Sequence, residues 1–290
     1  MLIVKNQKKN FFINQQLRYI IVKMPKTIAV VNQKGGVGKT TTVINLAAGL
    51  SLLGKKVLII DLDPQGNSTS GLGIEKSSLN KSTYNLLIED MKIDEVIRKI
   101  DIKENKKIYI CPSNAELSGA DIELHDLEER EWILNKALNN SNLDEFNYIL
   151  IDCPPSLSLL TINAFAASNS LLVPVQCEFY AMEGLAQLNK TINLIIERIN
   201  PSLEIEGLLL TMFDSRNNIC KTVASEVRNF FKEKVLNTLI PKNVKLAECP
   251  SFGKCIFDYD QHCIGAISYL DLSKELILKN GGSFVEKISW

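Results

Sequence analysis

The sequence predicts an α/β protein built on a doubly wound, mostly parallel sheet flanked by helices. Three observations predict it. Short apolar runs alternate with longer helical patterns from Lys26 onward, and most of those runs are continuously apolar. A glycine-rich turn also joins the first run to the first helix. Alternation of this kind implies right-handed crossovers between parallel strands. Continuous apolar runs suit strands covered on both faces, because residues pointing to opposite sides of the sheet must all be buried.

Taken in order, strands are expected over 27–31, 56–61, 108–111, 148–152, 170–175, 206–212 and 235–240. Val57-Leu58-Ile59-Ile60 and Ile149-Leu150-Ile151 are the clearest of them. Helices are expected over 40–53, 115–124, 128–139, 157–167, 181–199 and 221–232, and a last one over 264–278 closes the chain. No internal repeat or linker-like change of composition interrupts this pattern. Residues 24–280 are therefore read as one domain, with 1–23 as an N-terminal extension (disordered, or an upstream start) and 281–290 as a short tail.

Composition narrows the function classes. Of 290 residues, 46% are hydrophobic and 23% charged, which are ordinary globular values. Thirty-three basic side chains balance 33 acidic ones, so any nucleic-acid surface must be a local patch rather than a global field. Seven cysteines without a C-x-x-C pair argue for reduced thiols in a cytosol rather than a disulfide framework. Cys249, Cys255 and Cys263 beside His262 match no common zinc spacing and are read as packing residues. No run approaches the roughly 20 apolar residues needed to span a bilayer. The leader lacks the continuous apolar core and small-residue cleavage site of a secretory signal.

The most informative stretch is Asn32-Gln33-Lys34-Gly35-Gly36-Val37-Gly38-Lys39-Thr40-Thr41, placed between a strand and a helix. That context gives a phosphate-binding loop its meaning: glycines let successive N–H groups face a phosphate, and the helix adds its positive end. Lys39 is expected along the β/γ-phosphates of ATP, with the Thr40 hydroxyl on Mg²⁺. A second lysine, Lys34, stands five residues earlier. Charge developing on a transferred phosphoryl group needs a cation, and no arginine lies near this loop, so a lysine would fill that need.

Two carboxylate strands follow. The run 56–61 leads into Asp61-Leu62-Asp63-Pro64-Gln65-Gly66-Asn67, which places both carboxylates at the carboxyl end of a strand. Tyr148-Ile149-Leu150-Ile151-Asp152-Cys153-Pro154-Pro155 is an apolar strand ending in an acid, so Asp152 is expected to hold Mg²⁺ opposite Thr40.

K-G-G-V-G-K-T resembles the deviant Walker A loop of the ParA, MinD and nitrogenase iron protein superfamily, in which the extra lysine reaches the partner's nucleotide. D-x-D-P-Q-G-N, I-D-C-P-P-S, V-P-V-Q-C-E with A-M-E-G-L, L-T-M-F-D-S-R, I-P-K-N-V-K-L and P-S-F-G-K all look like the ParA/Soj subgroup. The likeness runs from Lys26 to about Leu278. It implies a Mg²⁺-dependent ATPase that segregates DNA, working as an ATP-driven homodimer on non-specific double-stranded DNA with a ParB-like partner. A cytoplasmic, nucleoid-associated location is implied, and no membrane attachment.

Residue by residue, the resemblance gives Lys34, Lys39 and Asp63 to catalysis, with Asp63 orienting the attacking water and Asp61 in support near the metal. It places Lys34, Gly35, Gly36, Val37, Gly38, Lys39, Thr40 and Thr41 on the phosphates and Pro241 and Asn243 beside the adenine. Arg216, Lys242 and Lys245 would meet DNA, the last two standing where the family usually has arginine. Residues 214 to 255 carry eight basic groups against four acidic ones, in keeping with such a patch. The runner-up readings are an ATP-switched scaffold or replication regulator that hydrolyses little, and a MinD-like positioning ATPase. MinD-like proteins end in a basic amphipathic helix, whereas this tail is short and broken by Gly281-Gly282.

Overall fold

A computed structural model describes residues 24–284; the N-terminal extension 1–23 and residues 285–290 of the tail lie outside the described residues. Eight strands form one sheet: β1 Lys26–Val30, β2 Val57–Asp61, β3 Arg98–Ile102, β4 Lys106–Cys111, β5 Tyr148–Asp152, β6 Ser170–Gln176, β7 Glu204–Phe213 and β8 Val235–Pro241. Their order across the sheet is β3-β4-β2-β5-β1-β6-β7-β8. Every adjacent pair is parallel except β3 with β4.

The period of two along each strand sorts side chains between two cores. Ile28, Val30, Val57 and Ile59 join the core beneath the helices Lys39–Leu52 and Ile264–Lys279. Ala29, Leu58, Ile60 and Ile151 face the opposite core, which includes residues of the helices Leu159–Ala167, Ala181–Arg198 and Asn218–Phe231. Leu150 lies in the middle of the central strand β5 and is 0% exposed. Leu150→Ala is expected to cost about 2–5 kcal/mol through reduced burial and the cavity left behind, read as a lower denaturant midpoint with an unchanged slope.

The sequence pattern does not predict strand β3. Its residues Arg98-Lys99-Ile100-Asp101-Ile102 alternate charge with isoleucine, because it is an edge strand covered on one face and solvated on the other. The helix expected over 128–139 begins only at Ile133; the preceding acidic stretch forms turns, with Arg130 Nη1 donating to the His125 carbonyl at 2.8 Å.

Candidate functional site

Strand register builds the site. Val30, Asp61 and Asp152 end three neighbouring strands, and Asp152 lies opposite both Val30 on β1 and Asp61 on β2. Each carboxylate thus arrives at the carboxyl edge of the sheet beside the loop that leaves β1. The loop closes onto the helix Lys39–Leu52, whose first turn has no capping side chain and no acidic residue. Its N–H groups and positive end are left for an anion. Gly36 and Gly38 take φ of 74° and 90°, backbone that other residues rarely adopt, and nothing lies within 4 Å of a Cβ placed at Gly35 or Gly36. The result is an open concavity lined by main chain.

Lys39 is buried, and its Nζ donates to the Lys34 carbonyl at 3.3 Å. Burial lowers the pKa of its ammonium, opposed by the charges of Asp152 and Asp63. Lys34 behaves differently. Its side chain is 43% exposed and its Nζ meets Glu178 Oε2 at 2.5 Å, while Gln176 Nε2 holds the other Glu178 oxygen.

The three acids divide by their partners. Asp61 is fully enclosed: Thr69 donates its hydroxyl and N–H to Oδ2 at 2.7 and 2.9 Å, and the Asp63 N–H reaches Oδ1 at 3.2 Å. Asp152 Oδ2 accepts from Ser68 Oγ at 2.7 Å, but its buried Oδ1 takes no hydrogen bond. Burial pushes the pKa of both carboxyls up; the Asp152 charge adds to the effect on Asp61, whereas Ser68 and Thr40 hold Asp152 back. A buried acidic oxygen without a donor, beside the Thr40 hydroxyl, fits a divalent cation. Asp152 and Thr40 are the residues that would hold Mg²⁺, with Asp61 behind them, its oxygens already engaged. Asp63 is 7% exposed, and its Oδ1 accepts the Gln65 N–H at 2.9 Å.

The site has a second part. A cavity of about 270 Å³ beside the loop is lined by Gly38, Thr41, Met212, Pro241, Asn243 and Tyr269, among others. Asn243 Oδ1 is buried there with no partner, an acceptor suited to the exocyclic amino group of adenine. Met212 and Tyr269 escape a reading of the sequence, since Met212 stands at the end of an apolar strand and Tyr269 inside a helix. Met212 has φ of 50°, a left-handed backbone, and its Cε lies 3.9 Å from a Cβ placed at Gly38 of the loop. A larger cavity of about 460 Å³ opens at the amino ends of β1, β6 and β7, and no charged side chain among the described residues lines it.

Arg216, Lys242 and Lys245 come together at one corner. Arg216 follows β7, Lys242 follows β8, and Phe213 and Pro241 pair at those strand ends. All three side chains are exposed. Arg216 forks onto Asp214 at 3.0 and 2.9 Å, which holds that carboxyl down at a pKa of about 2. Lys245 Nζ lies 3.7 Å from Glu248 and 5.5 Å from the centre of the Tyr259 ring.

Fold and site together define a P-loop nucleoside triphosphatase with a doubled lysine signature. Residues 25–205 match the family described as an AAA domain. The chain is 49% identical to the sporulation initiation inhibitor protein Soj of Bacillus subtilis, over 87% of this chain and 98% of that protein. It is 48% identical to the chromosome partitioning protein ParA of Myxococcus xanthus, over 88% and 89%. Among solved structures, cobyrinic acid a,c-diamide synthase of Mycobacterium smegmatis, with bound ADP and magnesium, superimposes with a TM-score of 0.76 at 33% identity, covering 92% of this chain and 100% of that one. The chain belongs to the ParA/Soj family of chromosome-partitioning ATPases.

Proposed function

We propose that this protein is a DNA-segregation ATPase in which Mg·ATP closes two copies face to face. The closed pair holds double-stranded DNA without sequence preference, and hydrolysis, stimulated by a ParB-like partner, releases it. The observation that carries this reading is the contrast between the two lysines. Lys39 is buried in its own loop, while Lys34 points outward to an exposed carboxylate. Exposed Leu157, Phe179 and Tyr180 follow the carboxyl ends of β5 and β6, on either side of β1, and give a second copy an apolar surface to meet.

In this reading Gly35, Gly36, Val37, Gly38, Lys39, Thr40 and Thr41 bind and orient the triphosphate, and Pro241 and Asn243 fix the base. Bound Mg²⁺ would neutralise charge on the β- and γ-phosphoryl oxygens. Asp63 takes a hydrogen bond from the attacking water and aims it at the γ-phosphorus. Lys34 of each copy stabilises the charge that develops on the other's nucleotide. Asp61 keeps the loop carrying Asp63 in place. This assigns the protein to the cytoplasm and the nucleoid; among the described residues no helix is long and apolar enough to cross a membrane.

Arg216, Lys242 and Lys245 supply the DNA surface, and pairing duplicates it on a chain whose charges otherwise balance. Arg216 must share its guanidinium with Asp214, so its pull on a phosphate is weaker than that of an unpaired arginine. A titration of fluorescent duplex with ADP, ATP and the Asp63→Ala protein at two salt concentrations tests the reading. Tight binding is expected with ATP, most persistently in Asp63→Ala, and it should weaken steeply with salt. Equal binding with ADP and ATP would refute the switch. Arg216→Ala combined with Lys245→Ala is expected to weaken binding about tenfold or more and to leave basal ATPase unchanged. The salt slope should fall by about one for each phosphate no longer neutralised.

A further inference from the structure

Asp63 is held by a closed ring of hydrogen bonds that includes two side chains away from the phosphate loop. The Thr69 hydroxyl donates to Asp61 Oδ2 at 2.7 Å and accepts the Ser113 N–H at 2.8 Å. The Ser113 hydroxyl donates to the Asp63 carbonyl at 2.8 Å. The Asp63 N–H returns to Asp61 Oδ1 at 3.2 Å and closes the ring. Asp61, Thr69 and Ser113 are 0% exposed and Asp63 is 7% exposed, so water does not compete for these bonds.

The ring spans two strands. Asp61 ends β2, whereas Ser113 lies just past the end of β4, the neighbour of β2. Thr69 sits in the short helix Asn67–Gly71 that follows the D-P-Q-G turn. Gly66 allows the close approach, for a Cβ there would stand 2.7 Å from the Ser113 carbonyl oxygen. Lys76 Nζ clasps the Gln65 carbonyl at 2.6 Å from the outside. The backbone at Asp63 thus has its N–H and its C=O both fixed, leaving its carboxylate few directions.

We propose that Thr69 and Ser113 are positioning residues for hydrolysis, acting through Asp63. The inference rests on Asp63 being the carboxylate that orients water. A single hydroxyl proton at Thr69 serves the ring: it is given to Asp61 while the oxygen receives the Ser113 N–H. Serine can do both and valine neither, although valine has the same shape. Without that hydroxyl the Ser113 N–H loses its acceptor and the link from Ser113 to Asp61 is broken, leaving Asp63 held by the Asp61 carboxylate and the Gly66 N–H of its own turn. A misplacement of about 1 Å can cost a reaction about 100-fold.

The test compares Thr69→Val, Thr69→Ser, Ser113→Ala and Asp63→Ala in single-turnover hydrolysis at saturating Mg·ATP, with the affinity for a fluorescent ATP analogue measured beside it. Thr69→Val is expected to slow hydrolysis about tenfold or more while affinity stays within about twofold, and Thr69→Ser should restore the rate. Amide hydrogen exchange over residues 63–67 should rise in Thr69→Val. Placed on Asp63→Ala, Thr69→Val should slow nothing further, because its effect passes through the missing carboxylate. A wild-type rate in Thr69→Val overturns the inference, as does a parallel loss of rate and affinity, which marks a purely structural ring. Should Thr69→Val not fold, Ser113→Ala removes one hydroxyl from the same ring and is judged by the same readings. Asp63→Ala alone separates the two claims. If it hydrolyses normally, the role of Asp63 falls; if it is dead while Thr69→Val is normal, only the ring's role falls.

Discussion

Asp63→Ala is expected to slow ATP hydrolysis by about 10²–10⁴-fold, the range over which a positioned side chain acts in proton transfer. Affinity for ATP should be almost unchanged. The Asp63 carboxylate accepts the Gln65 N–H within its own loop, whereas the Thr69–Ser113 ring holds Asp63 by its main chain, which alanine retains. Asp61, Asp152 and Lys39 keep their partners. Rapid-quench measurement of a single turnover, set beside equilibrium binding of an ATP analogue, separates chemistry from binding. A variant that hydrolyses at the wild-type rate would move the role of orienting water to another residue. One that loses ATP affinity as well would make Asp63 a ligand-binding group.

The parts of the site legible in the sequence are those whose function fixes the local backbone. A phosphate loop needs glycine at Gly36 and Gly38 whatever surrounds it, and a carboxylate at a strand end is announced by the apolar run before it, as at Asp61 and Asp152. The buried strands were legible for a related reason, since burial on both faces leaves β2 and β5 almost wholly apolar. Strand β3 was not, because one of its faces is solvent and its charges mask the alternation of Ile100 and Ile102.

Partners chosen by tertiary approach were also hidden. Ser113 lies 50 residues from the carbonyl it holds, and Glu178 lies 144 residues from Lys34. Neither pairing leaves a spacing to detect. The Ser68-Thr69 pair after D-P-Q-G was the one visible trace of the Asp61 and Asp152 partners, yet serine and threonine are ordinary residues at the start of a helix. The cavity residues Met212 and Tyr269 gave no trace, because a side chain that lines a cavity obeys the same periodicity as one that touches the core.

Lys34→Ala is expected to have the largest effect on turnover, about 10³–10⁵-fold if its cation serves the transferred phosphoryl group as an arginine finger does. The folded monomer should scarcely notice. The Lys34–Glu178 pair is about half exposed on both sides, and such pairs contribute roughly 0–1 kcal/mol. Lys39 donates to the Lys34 carbonyl, which alanine retains, so ATP affinity should also persist. Loss of turnover alone would not show whose nucleotide the lysine serves. Mixing does. In a pair made of one Lys34→Ala copy and one Asp63→Ala copy, the nucleotide on the Lys34→Ala copy has its own Asp63 and, if the lysine crosses the interface, the partner's intact Lys34. Two inactive proteins should then recover activity together. With random pairing half the dimers are mixed and one of their two sites is complete, so recovery should approach about a quarter of the wild-type rate. A lysine that served its own nucleotide would leave both sites defective, each missing one group. Mixtures that stay as inactive as their components, under conditions where light scattering detects the pair, would therefore place Lys34 in its own subunit's site and remove the reason for hydrolysis to wait on dimerisation.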